Sequence, residues 1–270
     1  MNILIIKFLI LLYTFSSGII ENNNFHNNSD KTEIIVIGTV HENTPYFNSD
    51  TLLEIINKIK PEVILLESDS SYFNSDFSLD EEIQYMFPET AAITEYSKLH
   101  SVIIRPYDIN GRDDFLDDKA RLTGQFGFFN AIEMISDNGI YNEKGIDIYS
   151  KINDMKEIAY EMSNSTLTFI NSEEGSKNID TINYYTYEGL KILIEVTPEL
   201  SQYYSYWKDE YEFWIKRNKA MVNNILDLSE KLKGKKILVM CGFAHKNILL
   251  TELKLKSEEY NIEVKSFNDL

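Results

Sequence analysis

Apolar positions along this chain fall into two rhythms. Short continuous runs of β-branched and aliphatic residues alternate with stretches whose apolar positions recur every three or four residues. Ile34-Ile35-Val36-Ile37, Val63-Ile64-Leu65-Leu66, Val102-Ile103-Ile104 and Ile237-Leu238-Val239-Met240 are the continuous runs. Such runs predict strands covered on both faces, as in a parallel sheet. Between the first two, Leu52, Leu53, Ile55, Ile56 and Ile59 keep a 3.6-residue period. This predicts a helix capped by Ser49 or Asp50 and ended by Pro61, and so a strand–helix–strand crossover. A third strand is expected over 101–108, and the acidic Asp80-Glu81-Glu82 at a solvated helix start.

Residues 110–230 read as mainly helical, with helical periods over 113–134 and 152–162. An aromatic-dense helix (Tyr203, Tyr204, Tyr206, Trp207, Tyr211, Phe213, Trp214) is expected to run to about Leu232, where Gly234 breaks it. Aromatic side chains at helical spacing predict a packed seam ahead of a substrate platform. The chain closes with a strand, a helix over 247–259 and the alternating Ile262-Glu263-Val264-Lys265-Ser266-Phe267. The fold class is therefore α/β. A mostly parallel central sheet flanked by helices fills residues 32–270, with a helical insertion in the middle of the chain at about 110–230.

Two of the predicted strands end alike. Gly38-Thr39-Val40-His41 follows the first and Gly242-Phe243-Ala244-His245 the fourth, and only 4 His and 11 Gly occur in 270 residues. Each glycine permits a turn or a close backbone approach. Each histidine falls just past the carboxyl end of a strand, where open α/β sheets place their ligands. One such histidine would read as an ordinary hydrogen-bonded loop residue; the pair predicts a shared site. Glu67 ends an otherwise apolar strand, where a carboxylate must be paired, hydrogen-bonded or metal-bound. Arg105 and Asp108, at the end of the third strand, are candidate substrate-binding residues for the same crevice, against a plain ion pair.

Two neutral imidazoles and a carboxylate, His41, His245 and Glu67, make an open site for a divalent metal ion such as Mn, Co or Zn. A water on such an ion loses its proton near neutral pH, as hydrolysis of an amide or ester requires. Arg217 is the candidate to steady an oxyanion or to hold a substrate carboxylate by two hydrogen bonds. Glu42 is a candidate general base or partner of His41, although strand alternation points it away. Without metal, His41, His245 and Glu67 permit general acid–base catalysis. No nucleophile elbow, zincin helix, P-loop or dinucleotide fingerprint is present.

Taken in order, Gly38-Thr39-Val40-His41, Glu67-Ser68-Asp69, Arg217-Asn218-x-x-Met221 and Gly242-Phe243-Ala244-His245 resemble the motifs of the TraB/GumN/TIKI family. That group is related more distantly to erythromycin esterases and to ChaN-like haem-binding proteins. The resemblance spans roughly 33–267 and rests on these four motifs. It implies an α/β core and, as in the family's animal members, a metal-dependent peptidase in which His41, Glu67 and His245 are ligands or catalytic groups and Arg217 a site residue. Ser68 stands where the family usually has leucine. Lys246 sets a cation beside the second histidine, which opposes metal binding unless its side chain points away.

Composition narrows the partners. A formal net charge of −17 argues against nucleic acid and anionic membranes as partners, since both need a basic face. The single cysteine, Cys241, sits in an apolar run and is expected to be a small buried core residue. Lys7, the apolar Phe8–Phe15 and Ser16-Ser17-Gly18 make residues 1–18 a predicted signal peptide, and 19–31 a linker. The apolar run is too short to span a bilayer, so the expected location is exported, periplasmic or extracellular, without a stable membrane span.

Three readings follow: an exported metal-assisted hydrolase of a peptide or small-molecule substrate; a protein that sequesters a peptide or tetrapyrrole without turnover; and an α/β protein whose glycine motifs serve folding alone.

Overall fold

The computed structural model describes residues 31–68 and 70–270. The predicted signal peptide, all but the last residue of the linker, and Asp69 lie outside the described residues. The chain runs β1 (Thr32–Thr39), α1 (Ser49–Ile59), β2 (Val63–Leu66), α2 (Pro88–Leu99), β3 (Ile103–Pro106), α3 (Arg112–Leu116), α4 (Lys119–Asp137), α5 (Glu143–Ser163), α6 (Leu167–Ile170), α7 (Glu173–Tyr184), α8 (Leu190–Val196), α9 (Tyr204–Lys231), β4 (Lys236–Gly242), α10 (Phe243–Leu255) and β5 (Ile262–Ser266). A π-helical turn, Tyr185–Gly189, joins α7 to α8. No described helix is long and apolar enough to cross a membrane.

All five strands are parallel, in the order β3-β2-β4-β1-β5. The continuous apolar runs are explained by cover on both faces. Ile35, Ile37, Ile64, Leu66, Leu238 and Met240 face α1, α2 and the helical middle. Ile34, Val36, Val63, Leu65, Val239 and Cys241 face the second half of α9 and α10. The β1–β2 connection passes over β4, whereas the β4–β5 connection passes over β1 in the opposite direction. A common hand for both crossovers then puts their helices on opposite faces, where α1 and α10 are found. The chain therefore leaves the neighbours β1 and β4 toward opposite faces at their carboxyl ends. The crevice between them is a topological switch point.

Several boundaries differ from the sequence expectation, each for a local reason. Helix α1 is capped by Asn48, not Ser49 or Asp50: Asn48 Oδ1 accepts from Thr51 N–H at 3.0 Å and Thr51 Oγ1 accepts from Asn48 N–H at 3.1 Å. Glu81 and Glu82 lie in an exposed turn that follows the half-buried Asp80, and α2 starts later, at Pro88. The helix expected over 113–134 is two, α3 and α4, because Asp118 caps the second by accepting from Arg121 N–H at 2.7 Å. The last helix begins directly after Gly242 rather than near Asn247, so His245 sits in the first turn of α10.

One buried side chain clamps β1 to the helical middle. Asn171, 3% exposed, accepts from Gly38 N–H at 2.7 Å and donates to Gly38 C=O at 2.9 Å and Leu167 C=O at 2.8 Å. Asn171→Ala leaves the Gly38 amide and carbonyl buried without partners. The expected loss is about 2–4 kcal/mol of unfolding free energy, read by urea denaturation.

Candidate functional site

Three adjacent strands deliver the site. Thr39 of β1 pairs in register with Gly242 of β4, and Leu66 of β2 with Met240 of β4. His41 lies two residues beyond β1, Glu67 one residue beyond β2, and His245 three beyond β4. From the α9 side Arg217 reaches in, and Asp108 follows the end of β3 by two residues.

Glu67 is the common focus. Its Oε1 accepts from Arg217 Nη2 at 2.5 Å and lies 3.6 Å from His245 Nε2 and 3.9 Å from His41 Nε2. Its Oε2 accepts from the Gly242 backbone N–H at 2.6 Å. Both glycines of the repeated motif lie at close approaches, the tighter at Gly242. A Cβ on Gly242 would stand 2.7 Å from His41 Nε2, and one on Gly38 would stand 3.2 Å from the Phe243 backbone. Arg217 is anchored behind Glu67 by Asp108, which takes Nε at 2.9 Å and Nη2 at 2.8 Å.

The imidazoles are oriented from behind. Asn218 donates its amide N–H to Trp214 C=O at 2.8 Å, so its Oδ1 is the atom 2.8 Å from His245 Nδ1. His245 Nδ1 must then carry the proton, and its Nε2 lone pair faces Glu67. Trp214 stacks on the His245 ring at 4.4 Å, and Tyr187 stacks on Trp214 at 5.3 Å. His41 Nδ1 donates to Glu89 Oε1 at 3.0 Å, and the same oxygen accepts from Thr39 Oγ1 at 2.6 Å.

These surroundings drive the two histidines apart. Partial burial opposes a charge on His41, but the hydrogen bond to Glu89 and the charges of Glu67 and Glu89 outweigh it and raise its pKa to about 9. Burial dominates at His245 and lowers its pKa to about 4 in spite of Glu67. Burial also works against ionisation of Glu67; the facing His245 and His41, Arg217 and the Gly242 N–H overcome it and hold the pKa at about 2.

Other candidates lie elsewhere or play a different part. Arg105 is not in this crevice: its guanidinium covers the Phe77 ring at 4.1 Å and donates to Ile104 C=O at 2.7 Å. The alternation of β3 turns it outward while Asp108, 4% exposed, turns in. Glu42 is exposed, and the carboxylate that holds His41 is Glu89. Lys246 points away from the site, its Nζ donating to Ile170 C=O at 2.9 Å and Ser176 Oγ at 3.0 Å. Burial lowers its pKa to about 8. The aromatic seam is largely packing, with Trp207 5% exposed, but Trp214 walls the site. Cys241 is fully buried in the core.

Sequence reasoning missed Glu89, Thr39, Asn218 and Arg112. Asn218 stands beside Arg217 in a quoted motif, and Thr39 within another. Glu89 had no signal beyond the Pro-Glu-Thr of a helix start. Arg112, half-way between Tyr72 and Asp113, donates to their oxygens at 3.2 and 2.8 Å.

The donor types and the fixed Nδ1 protons of His41 and His245 suit a divalent ion at Nε2, together with Glu67, provided that the ion displaces the second proton that His41 holds up to about pH 9. Among the described residues, no three His, Cys, Asp or Glu side chains are already gathered at ligand distances, and Arg217 occupies Glu67 Oε1. No family model, curated protein or solved structure matches the chain. The argument for function therefore rests on these contacts.

In chelator-treated protein, imidazole NMR should show His41 titrating near pH 9 and His245 near pH 4. The His41 contribution to stability is complete below its unfolded value of 6.5 and lost as pH rises through 9; that of neutral His245 is complete above 6.5 and lost as pH falls through 4. Glu89→Gln should bring the His41 titration down toward 6.5 and leave His245 in place.

Proposed function

We propose that this chain is a hydrolase of the TraB/GumN/TIKI type, exported, acting on a peptide or another small amide or ester. The observation that carries it is a buried carboxylate, Glu67, met by both Gly-x-x-His imidazoles and by Arg217 at the mouth of a parallel sheet. A fold-forming role alone would not call for two histidines with opposed proton affinities around one acid.

A divalent ion (Mn, Co or Zn) would be held by His41, His245 and Glu67. When bound it supplies an acidified water and polarises a carbonyl. Holding the ion takes up both Nε2 lone pairs, because Nδ1 of each ring is already bound to Glu89 or Asn218. The ion and acid–base catalysis by these two rings are therefore alternative modes; without the ion the protein's own groups divide the work. Neutral His245, with its lone pair toward the cleft, is suited to take a proton from the attacking water. Protonated His41 is suited to give one to the leaving group. Asn218 and Glu89 hold these rings in the tautomers that the exchange requires. Arg217 commits Nε and Nη2 to Asp108 and Glu67. Its two-pronged face is thus already taken, which favours single-point contact from Nη1 to an oxyanion over a bidentate grip on a substrate carboxylate.

Purified protein should hydrolyse members of a mixed pool of internally quenched peptides. His41→Ala, His245→Ala and Glu67→Gln should each slow that turnover by about 10²-fold or more. Metal content measured on the same samples should fall in all three. Equal metal and equal turnover in wild type and variants would reject the reading. Peptides bound but recovered intact would favour sequestration.

A further inference from the structure

A cavity of about 170 Å³ opens beside Glu67 on the side away from His245. It is lined by His41, Glu67, Ser68, Tyr72, Phe87 and Glu89, among others. Two of its buried polar atoms have no hydrogen-bond partner in the protein: Glu89 Oε2 and Ser68 Oγ. Both residues are almost completely buried, Glu89 at 2% and Ser68 at 1% exposure. An unpaired carboxylate oxygen in such a place is costly, so it calls for a donor from outside the chain.

The chemistry of that donor is set by the surroundings. Glu67 and Glu89 line the cavity beside His41 and Arg112; His41 is spent on Glu89 Oε1 and Arg112 on Asp113 and Asp108, which leaves Glu89 Oε2 with no cation against it. The missing partner is therefore positive. A metal ion would need several oxygen or nitrogen ligands, and Glu89 has one unspent oxygen. Tyr72 and Phe87, nearly parallel with ring centroids 6.4 Å apart, add aromatic wall, which attracts an organic cation. Leu66 and Met240 add apolar lining, and Thr39, Thr90 and Arg112 complete it. The volume falls below the roughly 300–1,000 Å³ of drug-sized sites, and suits one aliphatic side chain with its ammonium group.

We propose that this cavity is a subsite for a primary ammonium group bearing an aliphatic side chain, with Glu89 Oε2 and Ser68 Oγ as its hydrogen-bond partners. Resting on the hydrolase reading, it makes the substrate class peptides or amides with a free amino terminus and an apolar first residue. Glu89 then has two tasks on two oxygens: Oε1 positions His41 and Oε2 receives the substrate ammonium.

Calorimetric titration of the full chain at pH 6.5 with L-leucinamide and with N-acetyl-L-leucinamide tests this. Leucinamide should bind about ten- to a hundredfold more tightly than its acetylated form, as expected for a charged hydrogen bond. Glu89→Gln should abolish the preference. So should Ser68→Val, which fills the cavity without touching His41; thermal unfolding checks that each variant is folded. Equal affinity for the two compounds, no binding of either to wild type, or a preference that survives Glu89→Gln would overturn the inference. Peptide turnover indifferent to N-acetylation would sink this subsite and leave the hydrolase standing. Leucinamide binding through Glu89 without turnover of any peptide would do the reverse.

Discussion

A carboxylate taken out of water and still ionised is the constraint around which this molecule is arranged. Glu67 stands 8% exposed at the end of an apolar strand, where burial alone would neutralise it. Its charge survives because the Gly242 amide, Arg217 and protonated His41 converge on it from distant parts of the chain, with the His245 ring packed beside them. Each demands a further support. Arg217 needs Asp108, His245 needs Asn218 and Trp214, and His41 needs Glu89, which needs Thr39. Two layers of partners thus follow from one buried charge. The strand order that brings β1, β2 and β4 side by side is what allows them to meet.

This dependence explains what was legible in the sequence. Strands buried on both faces have no polar alternation to hide them, and the four apolar runs announced the sheet. The paired glycines were also visible because their cause is steric: no side chain fits between β4 and His41. Glu67 stood out as a charge at the end of an apolar run. Glu89 did not, because a glutamate in the first turn of a helix is ordinary on a surface, and nothing local says that α2 turns it inward. Arg105 misled for the complementary reason. One residue of strand phase separates an arginine stacked on Phe77 from an aspartate inside the site, and a short run cannot fix that phase. Helix starts slipped wherever a cap lay one residue upstream, as at Asn48, or no loop intervened, as at Gly242.

The helical middle acquires a purpose from the same constraint. Its aromatic seam packs like any core, yet one edge of it passes out of the core and into the chemistry. Tyr187, released by the π-helical turn, stacks on Trp214, and Trp214 on the His245 ring. A flat apolar wall on one side of an imidazole keeps water from it, and burial is the leading cause of its low proton affinity. Asn171 ties the same helical region to the end of β1 at Gly38. The middle therefore covers the sheet and also sets the polarity of the site.

Charge balance joins the local site to the whole chain. The formal net charge of −17 surrounds a mouth whose own cations, Arg217, Arg112 and His41, are already paired with Glu67, Asp108 and Glu89. Such a field draws cations inward and holds anions off, which weighs against phosphorylated or polyacidic substrates. Within the mouth, Asp108 and Glu67 have already neutralised Arg217, so a substrate carboxylate finds little there to compensate its own desolvation. The divalent ion and the ammonium group proposed above would each bring positive charge to this mouth, at two neighbouring points. The two are compatible because they use opposite sides of His41: Nε2 toward Glu67, and Nδ1 toward Glu89. On the proposed reading, His41 would divide the place where a bond is broken from the place where the end of the substrate chain is read.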